Sequence, residues 1–228
     1  SNPCSEYMHL DNSACNLASL NLLKYLDADG TFDTEAFRRS VEVIFTAQEI
    51  LVGNADYPTE SIGETSRRFR QLGIGYANIG AMLMALGLPY DSDEACKIAA
   101  EVMSFIRDEA RATSVDLAGE RGVFPNFEGS IFDSPTGERV RNATVTTIAP
   151  TGTISLAFAD NASNGIEPPF SWTYTRRKRE GDGSFKEFAV EDHAWRLYRH
   201  LKGADTPLPA GFVSALELSA RAHAAMVA

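Results

Sequence analysis

Apolar positions recur at spacings of three and four over residues 34–51, where Phe37, Val41, Ile44, Phe45, Gln48 and Leu51 mark one face. That period predicts an amphipathic helix. Asp33 or Thr34 supplies the N-cap and Gly53 a stop, and Tyr57-Pro58 breaks the chain beyond it. A longer stripe runs through Ala95, Ile98, Ala99, Val102, Phe105, Ile106 and Ala110. Asp91 and Glu94 are spaced as a capping box for it, and Gly122 is placed to end it after Arg121. Helical patterns return over 190–201 and 214–228. The β-branched run Ala143-Thr144-Val145-Thr146-Thr147-Ile148 and the alternating Phe170-Ser171-Trp172-Thr173-Tyr174 predict strands. Residues 123–139, punctuated by Pro125, Gly129, Pro135 and Gly137, predict loops. The glycines of residues 70–87 read best as points of close helix packing at Gly73, Gly75 and Gly80. Gly73-Ile74-Gly75 is not a dinucleotide fingerprint, because Asn78 stands where the third glycine belongs. The order is mixed α and β, without an internal repeat.

Composition narrows the function classes. A chain of 228 residues, 44% hydrophobic, can bury a sizeable core as one large or two small domains. A formal net charge of −10 argues against a nucleic-acid groove, which needs concentrated basic surface. The single basic run, Arg176-Arg177-Lys178-Arg179, is followed by Glu180, Asp182 and Glu187 and reads as a solvated hairpin or loop, with phosphate contact the lesser alternative. Three cysteines do not make a disulfide framework and suit a reducing compartment, so a cytoplasmic location is expected. No apolar run reaches the ~18 residues of a membrane span, and no signal peptide opens the chain. It begins inside a motif and ends in a helical pattern, which predicts a fragment of a longer protein.

Two groups of residues carry candidate chemistry. Asn2-Pro3-Cys4-Ser5-Glu6 places an amide, a thiol and a carboxylate at alternating positions, which share a face if the segment is extended. Cys15 follows and opens the run Cys15-Asn16-Leu17-Ala18-Ser19-Leu20-Asn21-Leu22. The thiols leave several readings open: a thiolate nucleophile at Cys4, zinc ligation by Cys4, His9 and Cys15, or hydrogen-atom transfer by one thiol with another in a reducing pair. The ligand spacing of four and then five intervening residues is not a familiar zinc pattern, and a fourth ligand is missing. Cys96, beside the long apolar stripe, reads as a buried structural thiol. The second group is Pro150-Thr151-Gly152-Thr153-Ile154-Ser155, which follows the Thr-rich strand. A turn of this kind can aim several backbone N–H groups at one phosphate, although an ordinary strand-to-helix turn has the same composition. It is not a Walker loop, since no Gly-Lys-Ser/Thr is present.

These groups, in this order, resemble the catalytic subunit of ribonucleotide reductases. Leu72-Gly73-Ile74-Gly75, the turn Gly87-Leu88-Pro89-Tyr90 and Asn164-Gly165-Ile166-Glu167-Pro168 extend the resemblance over essentially the whole chain. The wording of Glu6-Tyr7-Met8-His9-Leu10-Asp11 looks most like the adenosylcobalamin-dependent class II branch. The resemblance implies an α/β fold: residues 1–228 would be the C-terminal part of a ten-stranded α/β barrel, truncated at both ends, with the radical cysteine on a loop entering it. It implies that Cys4 carries the thiyl radical, Glu6 is the base for the 3′-hydroxyl and Asn2 hydrogen-bonds the sugar. Cys15 would be one half of the redox-active pair, its partner lying outside the chain. Pro150, Thr151, Gly152, Thr153, Ile154 and Ser155 would cradle the substrate phosphates. The implied cofactor is adenosylcobalamin, with no binding residues identified for it and no metal ligands. The implied partners are a ribonucleotide, with a diphosphate expected, a thioredoxin-like or glutaredoxin-like reductant and a second copy in a homodimer. No nucleic acid or membrane partner is expected. The rivals are a class I large subunit fed by a radical from a partner subunit, a zinc-stabilised module and a noncatalytic nucleotide-binding domain.

Overall fold

A computed structural model describes residues 4–152, 154 and 165–228. They divide into two compact units, one built from residues 1–27, 31–77 and 100–150, the other from 28–30, 78–99 and 151–228.

The first unit is organised around parallel strands. β1 (Asn16–Asn21) pairs with β2 (Leu72–Ala77) in parallel, with Asn16 opposite Leu72 and Asn21 opposite Ala77. The chain between them forms a 3₁₀ turn (Leu22–Tyr25) and two helices, α1 (Thr34–Asn54) and α2 (Glu60–Phe69). A parallel pair needs such a crossover, and α1 packs back on both strands. The far edge of β2 takes residues 144–147: Leu72 N–H donates to the Thr144 carbonyl, Ile74 N–H to that of Val145, and Thr147 N–H to that of Ile74. The Thr-rich run thus lies alongside β2, with a formal parallel bridge only at Ile74 and Thr146. The result is a row of parallel segments joined by helices, an α/β arrangement. The described residues form no closed barrel.

β2 is buried along its whole length. Strands covered on both faces lose the polar–apolar alternation that marks a half-exposed one, which is why Leu72-Gly73-Ile74-Gly75 did not read as a strand. Gly73 and Gly75 therefore serve close strand packing, not helix packing. A Cβ on Gly73 would lie 2.5 Å from Thr147 Cγ2, and one on Gly75 would overlap the Thr147 carbonyl oxygen. Gly75→Ala is accordingly expected to destabilise the protein by about 1–3 kcal/mol through overpacking, read as a lower urea midpoint with unchanged slope.

α1 begins at the expected place, with the Asp33 carboxylate accepting from Ala36 N–H. Its buried face runs through Phe37, Val41, Phe45, Gln48, Glu49 and Val52, whereas Leu51 is exposed. α2 has no apolar stripe and starts at a Thr59 cap. α3 (Ile79–Ala85) is described with the second unit, and α4 (Asp93–Arg121) runs from the second unit into the first. Ser92 caps α4, its hydroxyl accepting from Ala95 N–H, so the expected Asp91–Glu94 box does not form the cap. Gly122 follows α4 at φ +80°. Beyond it, residues 123–139 form turns around a small core of Phe124, Phe127 and Val140.

In the second unit α3 is almost wholly buried, and Gly80 lets the backbone of Glu167 and Pro168 approach, as expected for a helix glycine. β3 (Thr173–Arg179) and β4 (Phe185–Glu191) form an antiparallel hairpin. The basic run lies on exposed β3 and is partly neutralised by Arg177–Glu187 and Lys178–Glu180 pairs. The second strand differs from its prediction: pairing starts at Thr173, not at Phe170. α5 (His193–Lys202) starts after an Asp192 cap, because Val190 is committed to β4. α6 (Ala220–Val227), capped by Ser219, is shorter than the pattern over 214–228 predicted. No helix among the described residues is long and apolar enough to cross a membrane.

Candidate functional site

The stretch from Cys4 to Cys15 is a loop on the first unit that contains no regular structure before β1. Cys4 is exposed. Ser5 has φ +58°, so the backbone bends between Cys4 and Glu6. The expectation that alternating residues share a face fails here, because it required extended backbone. Asn2 lies outside the described residues.

The loop is fastened at three points by hydroxyl groups. Thr147 Oγ1 donates to the Glu6 carbonyl at 2.5 Å. Thr144 Oγ1 is 2.8 Å from the Tyr7 hydroxyl and donates to the Leu72 carbonyl. Its single proton is thereby used, so Tyr7 is the donor in their bond. Burial pushes the Tyr7 phenol up to about 12, which keeps that proton in place. Near the other end, Ala14 N–H donates to Ser66 Oγ on α2. His9 stacks on Tyr7 with centroids 5.3 Å apart, and its Nδ1 is 2.7 Å from Ser13 Oγ. Among the described residues no three His, Cys, Asp or Glu side chains gather as a metal ion would require. The proposed zinc set of Cys4, His9 and Cys15 is therefore not assembled.

Glu6 is half-buried, and its Oε2 is shielded from solvent with no hydrogen-bond partner among the described residues. Cys15 stands close enough to feel it. Burial first, and then the Glu6 charge, push the Cys15 thiol from 9.0 up to about 12. Cys15 therefore holds its proton at any physiological pH. Its Sγ points to the Asn16 carbonyl at 3.7 Å, which also accepts from Gln48 Nε2 at 2.8 Å. Alkylation of Cys15 by iodoacetamide at pH 8 is expected to be about 10²-fold slower than that of a free cysteine. Its rate should keep climbing above pH 10, measured by mass-spectrometric peptide mapping. Cys4, Cys15 and Cys96 are all free thiols.

The second group begins where residues 144–147 end. Pro150 is exposed, and Thr151 is buried at φ +51°. That value is costly for a β-branched residue and marks a constrained turn. Gly152 and Ile154 are helical, and a Cβ on Gly152 would meet nothing within 4 Å. A left-handed residue followed by a helical one aims successive N–H groups to one side, the geometry of an anion nest. Thr153 and Ser155 lie outside the described residues.

The cavity described on the first unit is not a cradle for a corrin. Its volume is about 540 Å³, and it is lined by Asp56, Tyr57, Glu60, Gly63, Arg67 and Pro125 among others, and by no expected site residue. A corrin with its nucleotide tail needs a volume on the order of 1,000 Å³ or more, beyond an ordinary ligand pocket.

Sequence reasoning named both thiols and the Pro150–Ser155 turn as candidates but gave no role to Thr147, Thr144, Tyr7, Ser66 or Gln48. Each acts across a long stretch of chain, and apart from Tyr7 none belongs to a motif; the nearest signal was the Thr-rich run, read only as a strand.

The family model for the ribonucleotide reductase barrel domain matches residues 1–138 and 135–228. The chain is 42% identical over 204 residues to a vitamin B12-dependent ribonucleotide reductase of Rhodopirellula baltica, covering 74% of this chain and 20% of that protein. It is 40% identical over 228 residues to one of Streptomyces clavuligerus, covering 82% and 24%. A vitamin B12-dependent ribonucleoside-diphosphate reductase of Mycobacterium tuberculosis is 42% identical over 175 residues, covering 77% and 25%. The chain thus spans about a fifth to a quarter of the length of these curated relatives.

Proposed function

The chain belongs to the ribonucleotide reductase barrel-domain family, and we propose that it forms part of the catalytic barrel of an adenosylcobalamin-dependent enzyme reducing ribonucleotides to 2′-deoxyribonucleotides. The cobalamin assignment rests on the names of the relatives. When bound, the cofactor would supply the radical equivalent.

Cys4, as a thiyl, takes the 3′ hydrogen atom of the ribose and later returns it. A carbon–hydrogen bond of that strength is beyond acid–base chemistry, so a radical is needed. Glu6 accepts the 3′-hydroxyl proton while the 2′-hydroxyl leaves as water. Asn2 hydrogen-bonds the sugar. Cys15 and a second thiol outside residues 1–228 give up two electrons and two protons and close as a disulfide. A thioredoxin-like or glutaredoxin-like reductant reopens that disulfide. Pro150, Thr151, Gly152, Thr153, Ile154 and Ser155 hold the phosphates and so set where the sugar rests. A diphosphate substrate follows the Mycobacterium relative's name. A cytoplasmic homodimer completes the proposal.

The observation that carries this reading is the Glu6–Cys15 pair. A carboxylate oxygen is buried with no partner among the described residues, and the carboxylate's charge helps keep the neighbouring thiol protonated. The first is what a base awaiting a substrate hydroxyl needs, the second what a hydrogen-donating reductant needs. In the full-length protein Glu6→Gln is expected to lower kcat by about 10²–10⁴ while nucleotide affinity changes by less than about threefold. Unchanged turnover would return the chain to the noncatalytic nucleotide-binding alternative.

A further inference from the structure

We propose that Thr147 is a positioning residue for Glu6: it holds the base by its backbone and leaves the carboxylate oxygen Oε2 without a partner among the described residues. The inference rests on the reading of Glu6 as the base.

Glu6 belongs to no helix or strand, and the residue before it has a left-handed φ. Nothing regular therefore fixes its direction. The Thr147 hydroxyl, on a residue only 7% exposed, donates to the Glu6 carbonyl at 2.5 Å. The next residue is fastened to the same segment through its side chain, the Tyr7 hydroxyl donating to Thr144 Oγ1. Both threonines lie on the segment alongside β2, so the base is registered against the buried sheet and not against its own loop.

The attachment point matters chemically. A hydrogen bond to a carboxylate stabilises its charged form and makes it a weaker base. A tether on the main-chain carbonyl avoids this, and Glu6 Oε2 indeed has no partner among the described residues. The glycines of β2 make the tether possible. Thr147 Cγ2 occupies the place a Cβ of residue 73 would take, and the Thr147 carbonyl the place of one at residue 75. Gly73-Ile74-Gly75 is thus the slot into which Thr147 fits, a role no nucleotide-binding fingerprint would give it.

The test compares Thr147→Val, which keeps the shape and removes the hydroxyl, with Thr147→Ser, which keeps the hydroxyl. Both are made in the full-length protein and assayed with adenosylcobalamin, a ribonucleoside diphosphate and dithiothreitol. Thr147→Val should lower kcat about 10- to 100-fold, as a misplacement near 1 Å does, with KM changed by less than about threefold. Thr147→Ser should recover kcat to within about threefold of wild type. Thr147→Val on a Glu6→Gln background should cause no further loss, since groups acting as one unit are not additive. Wild-type kcat in Thr147→Val, or an equal fall in both Thr147 variants, would overturn the proposal; the second result would mark lost packing. Glu6→Gln measured alone separates the two levels. If it is inactive while Thr147→Val is active, only the tether fails. If it is fully active, the reading of Glu6 fails and the tether with it.

Discussion

Cys4→Ser in the full-length protein is expected to abolish nucleotide reduction while nucleotide affinity stays within about threefold of wild type. The substitution changes one atom on an exposed bend, so the fold has little to lose. Cys4 is bonded to no other cysteine. The Pro150–Ser155 turn proposed to hold the phosphates is untouched, which is why binding should survive. Chemistry should not survive, because a sulfur–hydrogen bond is weak enough to exchange a hydrogen atom with a sugar carbon and an oxygen–hydrogen bond is not. Loss of turnover should therefore be complete at the sensitivity of a radiolabelled-product assay, and greater than that of Glu6→Gln, which removes a base and leaves the radical carrier. Cys96→Ser provides the control, since Cys96 sits part-buried on α4 and has no place in the proposed chemistry. Retained turnover in Cys4→Ser would sink the assignment of Cys4; loss in Cys96→Ser would move attention to α4.

The parts of this molecule that were legible from sequence are those decided locally. α1 and α4 announce themselves because a cap and an apolar stripe lie within a few residues of each other. The hairpin of β3 and β4 follows from charge and turn residues close in the chain. α2 was missed for the opposite reason: Glu60–Phe69 has a capping threonine but no apolar stripe to find. β2 was missed because a strand buried on both faces shows no alternation, and its glycines suggested a helix until Thr147 was seen filling their place. Chemistry divided in the same way. The two thiols, the carboxylate and the Pro150–Ser155 turn lie in short motifs and could be named as candidates. What positions them could not, since Thr147 lies 141 residues from the carbonyl it holds and Thr144 lies 137 from Tyr7. The condition under which Asn2, Cys4 and Glu6 would share a face, an extended segment, is not met at Ser5, whose φ is +58°.

The support for that positioning reaches deeper, to Glu49 on α1. Its side chain is 6% exposed and accepts from three residues at once. Arg70 Nε and Arg141 Nε reach its Oε1 at 2.6 and 2.8 Å, and Asn142 Nδ2 reaches its Oε2 at 2.6 Å. Arg70 precedes β2 by two residues, and Asn142 precedes Thr144 by two, so the carboxylate ties together the starts of both segments. Arg141 also donates through Nη1 to the carbonyls of Arg121, Gly122 and Val123, closing the C-terminal end of α4. Glu49→Leu keeps the helix and the volume but strands two guanidinium groups, 10% and 16% exposed, without their counter-charge. Breaking a buried pair from one side costs about 3–5 kcal/mol, because the uncompensated charge stays in place. The full-length protein carrying Glu49→Leu should therefore unfold at a clearly lower urea concentration, followed by tryptophan fluorescence. A loss below about 1 kcal/mol would mean that water reaches the two arginines and that the network is not the anchor. Restoration is the stricter check: Glu49→Gln, which still accepts from Asn142 but carries no charge, should recover only part of the loss, since the charge-assisted bonds to Arg70 and Arg141 are the stronger ones.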